Sequence, residues 1–220
     1  MPPDMAPAPE EKDIARLEML SDGVFAIAIT LLGLELKVPD LSQRPGASLV
    51  YALGQQWHLY LAVVTSFFTI LVVWMNHHGC VQSMKRINIR FFIANGFLLF
   101  SVICFPFVTG LLGEYFTTEH AAAASSIYAG VCLLTNVGFN LLWGLAAAHG
   151  RALIRDDIPP EVVRAIRRNC AGGFFAYLVA MASAIISAYL CIAICTFLWI
   201  FWAVTLKSFK EQTRGRSAAR

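Results

Sequence analysis

The chain of 220 residues is 58% hydrophobic and 14% charged, with a net charge of +3 and a mean hydropathy of +0.63. That composition excludes an ordinary soluble domain, and so small a basic excess, confined to loops, points to no nucleic-acid partner. Apolar blocks near the roughly 20 residues that cross a bilayer predict an all-α integral membrane protein. Lipid admits only helices and closed barrels, and these blocks do not alternate as barrel strands would.

Residues 1–13, MPPDMAPAPEEKD, are rich in proline and acid. They lack the basic n-region of a signal peptide and predict a disordered cytoplasmic tail. A membrane domain is expected over 14–206, and a basic cytoplasmic tail over 207–220. Within that domain the first span is expected over 14–36, the second over 49–74, the third over 91–112 and the fourth over 122–149. The stretch 170–206 is apolar throughout. At about 1.5 Å rise per residue it is too long for one span, so it divides near Ser187–Tyr189 into a fifth and a sixth. The connection from Arg151, RALIRDDIPPEVVRAIRRN, reads as a short loop and helix that starts near Pro159 and Pro160. With the N-terminus in the cytoplasm, every Lys and Arg except Lys37 and Arg44 falls on a cytoplasmic segment. That is the positive-inside pattern for six transmembrane helices with both termini cytoplasmic. The six cysteines form no C-x-x-C pair, which indicates free thiols and neither a disulfide framework nor a metal site.

The first span opens with a polar stretch, RLEMLSDG, ahead of a long apolar run. At about 100° per residue, with Ile27 as zero, Leu31 lies at about +40°, Leu34 at about −20°, Gly23 at about −40° and Thr30 at about −60°. These residues form one narrow stripe, while Asp22, at about −140°, lies well off it. Such a stripe suits packing against neighbouring helices, with Thr30 bonding its own backbone. Asp22 is either paired or functional, or a solvated acid in the first turns of the helix. Arg16 and Asp22 are six residues apart and cannot easily pair on one straight helix. The second span ends in WMNHHG, and this topology brings Trp74 and His77 to the same membrane level as Ser21 and Asp22. Two adjacent histidines cannot both face one site on a helix.

The pattern R-x-x-x-L-S-D at Arg16, Leu20, Ser21 and Asp22 resembles the signature of the transmembrane protein 175 family of potassium channels, in its six-span bacterial form. The family has Phe where Leu20 stands here. W-x-x-H at Trp74 and His77 is similar to the family's second-span ending, and Asn95 and Pro106–Phe107 are looser matches. The resemblance implies a homotetramer in which the first helix of each six-span subunit lines a central pore, set in the plasma (bacterial inner) membrane. It implies a passive potassium-permeable cation channel without a carbonyl filter, and this sequence indeed has no T-V-G-Y-G. By the same resemblance, pore-lining and selectivity positions fall at Ile27, Thr30, Leu31 and Leu34. An interhelical network holding the pore helix falls at Arg16, Ser21, Asp22, Trp74 and His77. No metal and no cofactor is expected; the partners are potassium ions, the lipid bilayer and three further copies of the chain.

Two other classes fit less well. Ser21, Asp22 and His77 make a hydrolase triad on paper, but without a nucleophile elbow or H-E-x-x-H. A secondary transporter of a cation or small solute would show repeats and paired helix breaks. Gly172–Gly173 has no counterpart elsewhere. Glu35, at about +80° near the outer end, is either part of a cation-concentrating ring or a solvated rim residue.

Overall fold

The computed structural model describes residues 9–41, 46 and 48–217. Eight α-helices follow one another among them: α1 (Pro9–Leu31), α2 (Leu49–Gln55), α3 (Trp57–Gln82), α4 (Ile89–Ile103), α5 (Phe105–Tyr115), α6 (Ala121–Arg151), α7 (Pro160–Ser183) and α8 (Ala188–Ser217). A 3₁₀ turn, Leu32–Glu35, extends α1.

Among the described residues, five segments are long and apolar enough to cross a membrane: Lys12–Glu35, Trp57–Gln82, Ile89–Tyr115, Ala121–Ala148 and Ala188–Thr205. Helix α7, expected as the fifth of six spans, is not among them. Arg164, Arg167 and Arg168 occupy its first half, so its apolar stretch is short. The sequence also placed a loop helix and a separate span here, whereas one continuous helix runs from Pro160. Proline is at home in the first helical turn, and Glu161 beside it complements the helix dipole. The break between α7 and α8 falls at 184–187, just before the expected division.

Other boundaries move for local reasons. Helix α1 begins at Pro9, so part of the expected N-terminal tail is helical; residues 1–8 lie outside the described residues. At the other end α8 continues to Ser217, beyond the expected boundary at 206, and 218–220 again lie outside. The second span divides into α2 and α3 at Gln56, which leaves helical geometry at φ −91° and ψ 17°. The third divides into α4 and α5 at Cys104. Pro106 follows two residues later and has no N–H for the turn before it.

Helix α1 packs on α3, α4 and α5, α4 packs on α6, and α7 packs on α6 and α8. Phe25, Ala28 and Leu32 of α1 join a core with Ile70, Val102 and Phe105. Leu17 joins a second core with Phe91, Leu98 and Leu142. Gly138 lets α6 approach α4: a Cβ there would come within 3.1 Å of the Leu98 backbone. Small residues at such crossings let membrane helices pack closely.

At one end of the bundle the connections after α3 and α6 are tied together. Lys85 N donates to the Leu153 carbonyl at 2.9 Å and Arg155 N to the Ser83 carbonyl at 3.0 Å. Arg155 pairs with Asp157 at 3.0 Å. All six cysteines are free, with thiols buried or half-buried among apolar side chains.

Candidate functional site: the two faces of the first helix

One face of α1 carries Leu17, Ser21, Phe25, Ala28 and Leu32, and all five are buried. Their spacing of three and four residues keeps them in register on a helix. The opposite face carries Arg16, Leu20, Gly23, Ile27, Thr30, Leu31 and Leu34, and all seven are exposed. Ile27 is 60% exposed, Leu31 41% and Leu34 76%. The stripe drawn on the helical wheel therefore faces away from the rest of its own chain. Thr30 Oγ1 donates to the Ile27 carbonyl at 2.9 Å, so its oxygen remains an acceptor on the exposed face.

The buried face is fixed by a chain of polar contacts. His77 Nε2 lies 2.7 Å from Asn95 Oδ1. Asn95 Nδ2 donates to Ser21 Oγ at 3.1 Å, and Ser21 Oγ donates to the Leu17 carbonyl at 2.8 Å. Because Asn95 uses its NH₂ on Ser21, its Oδ1 must accept, which puts the proton of His77 on Nε2. Ser21, His77 and Asn95 are all buried, where an unpaired polar group is costly. The Phe25 ring sits 5.4 Å from the His77 ring and covers this link with apolar surface.

Beside it, Trp74 Nε1 donates to Asp22 Oδ1 at 2.8 Å. One turn away, His78 Nδ1 lies 2.7 Å from Glu18 Oε1, and the Trp74 and His78 rings stack at 5.9 Å. Helices α1 and α3 thus carry two rungs, 22 to 74 and 18 to 78, each offset by four residues as antiparallel helices require. The two adjacent histidines go to different partners: His77 inward to α4, His78 sideways to α1.

Four of the five expected network residues, Ser21, Asp22, Trp74 and His77, therefore meet. Arg16 does not. It stands on the exposed face in line with Ile27, and no hydrogen bond or ion pair reaches it among the described residues. Sequence reasoning matched Asn95 only loosely, although it is the link between α1, α3 and α4. A lone carboxamide inside the apolar run of α4 was the available signal. It paired neither Glu18 nor His78, because that pairing exists only once the helices cross.

Glu35 belongs to neither of the alternatives drawn for it. The 3₁₀ turn advances about 120° per residue, which swings Glu35 off the exposed face. Its carboxylate lies against Gly110 of α5, so closely that a Cβ at 110 would collide with it. Nearby, Lys37 Nζ pairs with Glu114 Oε2 at 2.7 Å, and this hydrogen bond and charge hold Lys37 above its ordinary pKa. The end of α1 is thus tied to α5. Among the described residues no three His, Cys, Asp or Glu side chains are grouped to hold a metal ion.

Comparison with known proteins bears on this arrangement. A family described as endosomal/lysosomal potassium channel TMEM175 matches residues 16–106, the segment that holds α1, α3, α4 and their polar links. A potassium channel of Chamaesiphon minutus is 44% identical over 200 residues, 91% of this chain and 98% of that protein. A potassium channel of Streptomyces collinus is 36% identical over 179 residues, 81% of this chain and 85% of its own length. The crystal structure of a lysosomal potassium-selective channel TMEM175 homolog from Chamaesiphon minutus superposes with a TM-score of 0.81 at 41% identity. It covers 89% of this chain and 98% of the other.

Proposed function

Since the chain belongs to the TMEM175 family, whose members are channels and not enzymes, we propose that it forms a passive potassium-permeable cation channel. Four copies assemble around an axis with the exposed face of α1 turned inward. Each has six spans, α7 and α8 supplying the fifth and sixth, and both termini lie in the cytoplasm. The setting is the plasma (bacterial inner) membrane, with no cofactor. The channel domain covers 14–206, preceded by a short N-terminal segment and followed by a basic tail.

One observation carries this reading: Ile27, Leu31 and Leu34 are left exposed on a helix whose opposite face is buried and anchored. An isolated subunit has no use for such a stripe, and four-fold symmetry turns it into stacked apolar rings. Narrow apolar rings gate by dewetting, since water leaves a tight greasy constriction and ions cannot pass without it. Selectivity then rests on how much hydration an ion sheds at the rings. Potassium sheds water more easily than sodium, and the Thr30 oxygens offer partial replacement. The polar links of Ser21, Asn95 and His77, with the Asp22–Trp74 rung, hold the rotation of α1 about its own axis. That rotation decides which side chains face the pore.

The test is the reversal potential of the purified protein in a planar bilayer, with potassium on one side and sodium on the other. A shift toward the potassium equilibrium potential is expected. A folded, assembled protein that passes no current under any voltage, or that carries saturable flux coupled to a second solute, contradicts the channel reading.

A further inference from the structure

A cavity of about 330 Å³ lies inside the subunit between α3, α6, α7 and α8, and α1 contributes nothing to its lining. On α3 the lining runs from Thr69 to Gln82, roughly 20 Å at helical rise. The space is therefore long and narrow for its volume, which is near the lower end of the range of about 300–1,000 Å³ for small-molecule sites.

Its chemistry changes along that length. Phe105, Phe139, Trp143, Tyr177, Trp199 and Trp202 give it an aromatic wall, and Thr69, Thr135 and Thr205 add hydroxyls. The Trp199 ring is held flat against Phe68 at 5.2 Å. Four carboxamides, Asn76, Gln82, Asn136 and Asn169, also line the cavity. Gln82 is exposed and Asn136 Oδ1 accepts from Asn140 Nδ2 at 2.9 Å, which leaves Asn76 and Asn169 to face an occupant. Asn76 Nδ2 donates to the Val72 carbonyl at 2.8 Å, which leaves its Oδ1 without a donor. Asn169 makes no side-chain hydrogen bond among the described residues. A carboxamide both donates and accepts, so this pair matches a hydroxyl, which does the same. Arg155 and Asp157 are the charged side chains of the lining. They are paired with each other, so no uncompensated charge draws an ion.

We propose that this cavity binds a neutral single-chain amphiphile with a hydroxyl head, the chain along the aromatic walls and the head against Asn76 and Asn169. Its alkyl chain replaces water against apolar surface, the dominant favourable term for such sites. The hydroxyl satisfies the two amides at no cost in charge desolvation. A carboxylate in the same place would have to displace Asp157 from Arg155 or go unpaired. The site is separate from the face of α1 assigned to the pore, so its test needs no ion current.

The experiment titrates the purified protein in lipid nanodiscs with 10-bromodecan-1-ol and follows quenching of tryptophan fluorescence. Trp143, Trp199 and Trp202 line the cavity, so a saturable component is expected above the linear quenching caused by partition into lipid. Decan-1-ol should displace it. Asn169→Leu should weaken apparent affinity roughly three- to tenfold, the order of one lost hydrogen bond. Cys170→Phe should fill the cavity and remove the saturable component at unchanged elution volume. Should that variant misfold, Val162→Phe at the loop end serves instead. Tighter displacement by glycerol monodecanoate than by decanol supports a monoacylglycerol as the occupant, and the reverse order supports a free alcohol. Purely linear quenching, or saturable quenching that neither filling variant alters, overturns the site. Displacement by decanoate at pH 8 as tight as by decanol overturns the neutral head.

Discussion

On one side of α1, Leu17, Ser21, Phe25, Ala28 and Leu32 are at most 1% exposed. On the other, side chains of the same apolar kind stand in the open. Hydrophobicity alone does not separate the two, since Ile27 and Leu34 are as apolar as Leu17 and Leu32. The polar residues separate them. Ser21 and Asp22 have partners on α3 and α4 that lock the helix in one rotation, and the remaining apolar side chains face away from the fold. An exposed apolar stripe of this kind marks an interaction surface, and the proposed channel places that surface at the pore.

Substitutions on the two sides should therefore part company, and stability shows it first. Phe25→Ala removes a buried ring from the core beside His77 and should cost about 3–5 kcal/mol, measured as a lowered midpoint of thermal unfolding by circular dichroism. Asn95→Leu strands the buried His77 Nε2–H and takes from Ser21 Oγ the donor it accepts from, while Ser21 keeps its bond to the Leu17 carbonyl. At about 1–3 kcal/mol for the stranded imidazole, the chain should lose α1 packing, seen as faster protease cleavage within α1. Trp74→Phe keeps an aromatic ring, though a smaller one, and removes the N–H that donates to Asp22. A loss of about 1.5–3 kcal/mol is expected, the range for a hydrogen bond to a charged group. A variant as stable as the parent would show that this rung does not hold the helix.

The loop pair is weaker. The hydrogen bond and charge of Arg155 hold the Asp157 carboxyl below its ordinary range. Its stabilisation is therefore present above the unfolded carboxylate pKa and is lost as pH falls through the lowered folded value. Both partners are exposed, so less than about 1 kcal/mol is expected. Asp157→Asn should remove that part of the acid dependence of unfolding and little else. Smallest for stability is Ile27→Asn, below about 0.5 kcal/mol for an exposed site. It should nonetheless raise conductance or lower potassium preference by wetting the constriction.

Much of this was legible beforehand, for physical reasons that differ by residue. The stripe from Gly23 to Leu34 follows from helical periodicity, and the long apolar blocks gave the membrane-length helices α1, α3, α6 and α8. Meeting of Ser21, Asp22, Trp74 and His77 followed from the depth at which each enters the membrane. The role of Asn95 was not legible, because a single amide in an apolar helix names no partner until another helix is placed beside it. Glu35 was misplaced because the wheel assumed an α-helix where the chain tightens to 3₁₀. Arg16 was grouped with the network by motif, yet its own angle on the helix puts it with Ile27. The join of the loop helix to α7 was hidden because its arginines look like a solvated loop, and helix propensity carries through them.

The most direct test of the two-faced helix is substituted-cysteine block of potassium current. Cysteine is placed in turn at 27, 31 and 34 and at 25 and 28, and a membrane-impermeant cationic thiosulfonate is applied. The unsubstituted protein, whose native thiols are buried except for the half-buried Cys104, serves as the control. Block at 27, 31 and 34, with no change at 25 and 28, is the predicted result. Block at 25 and 28, or none at 27, 31 and 34 in channels shown to conduct, would contradict the account, because the exposed face of α1 would then not line the path of the ion.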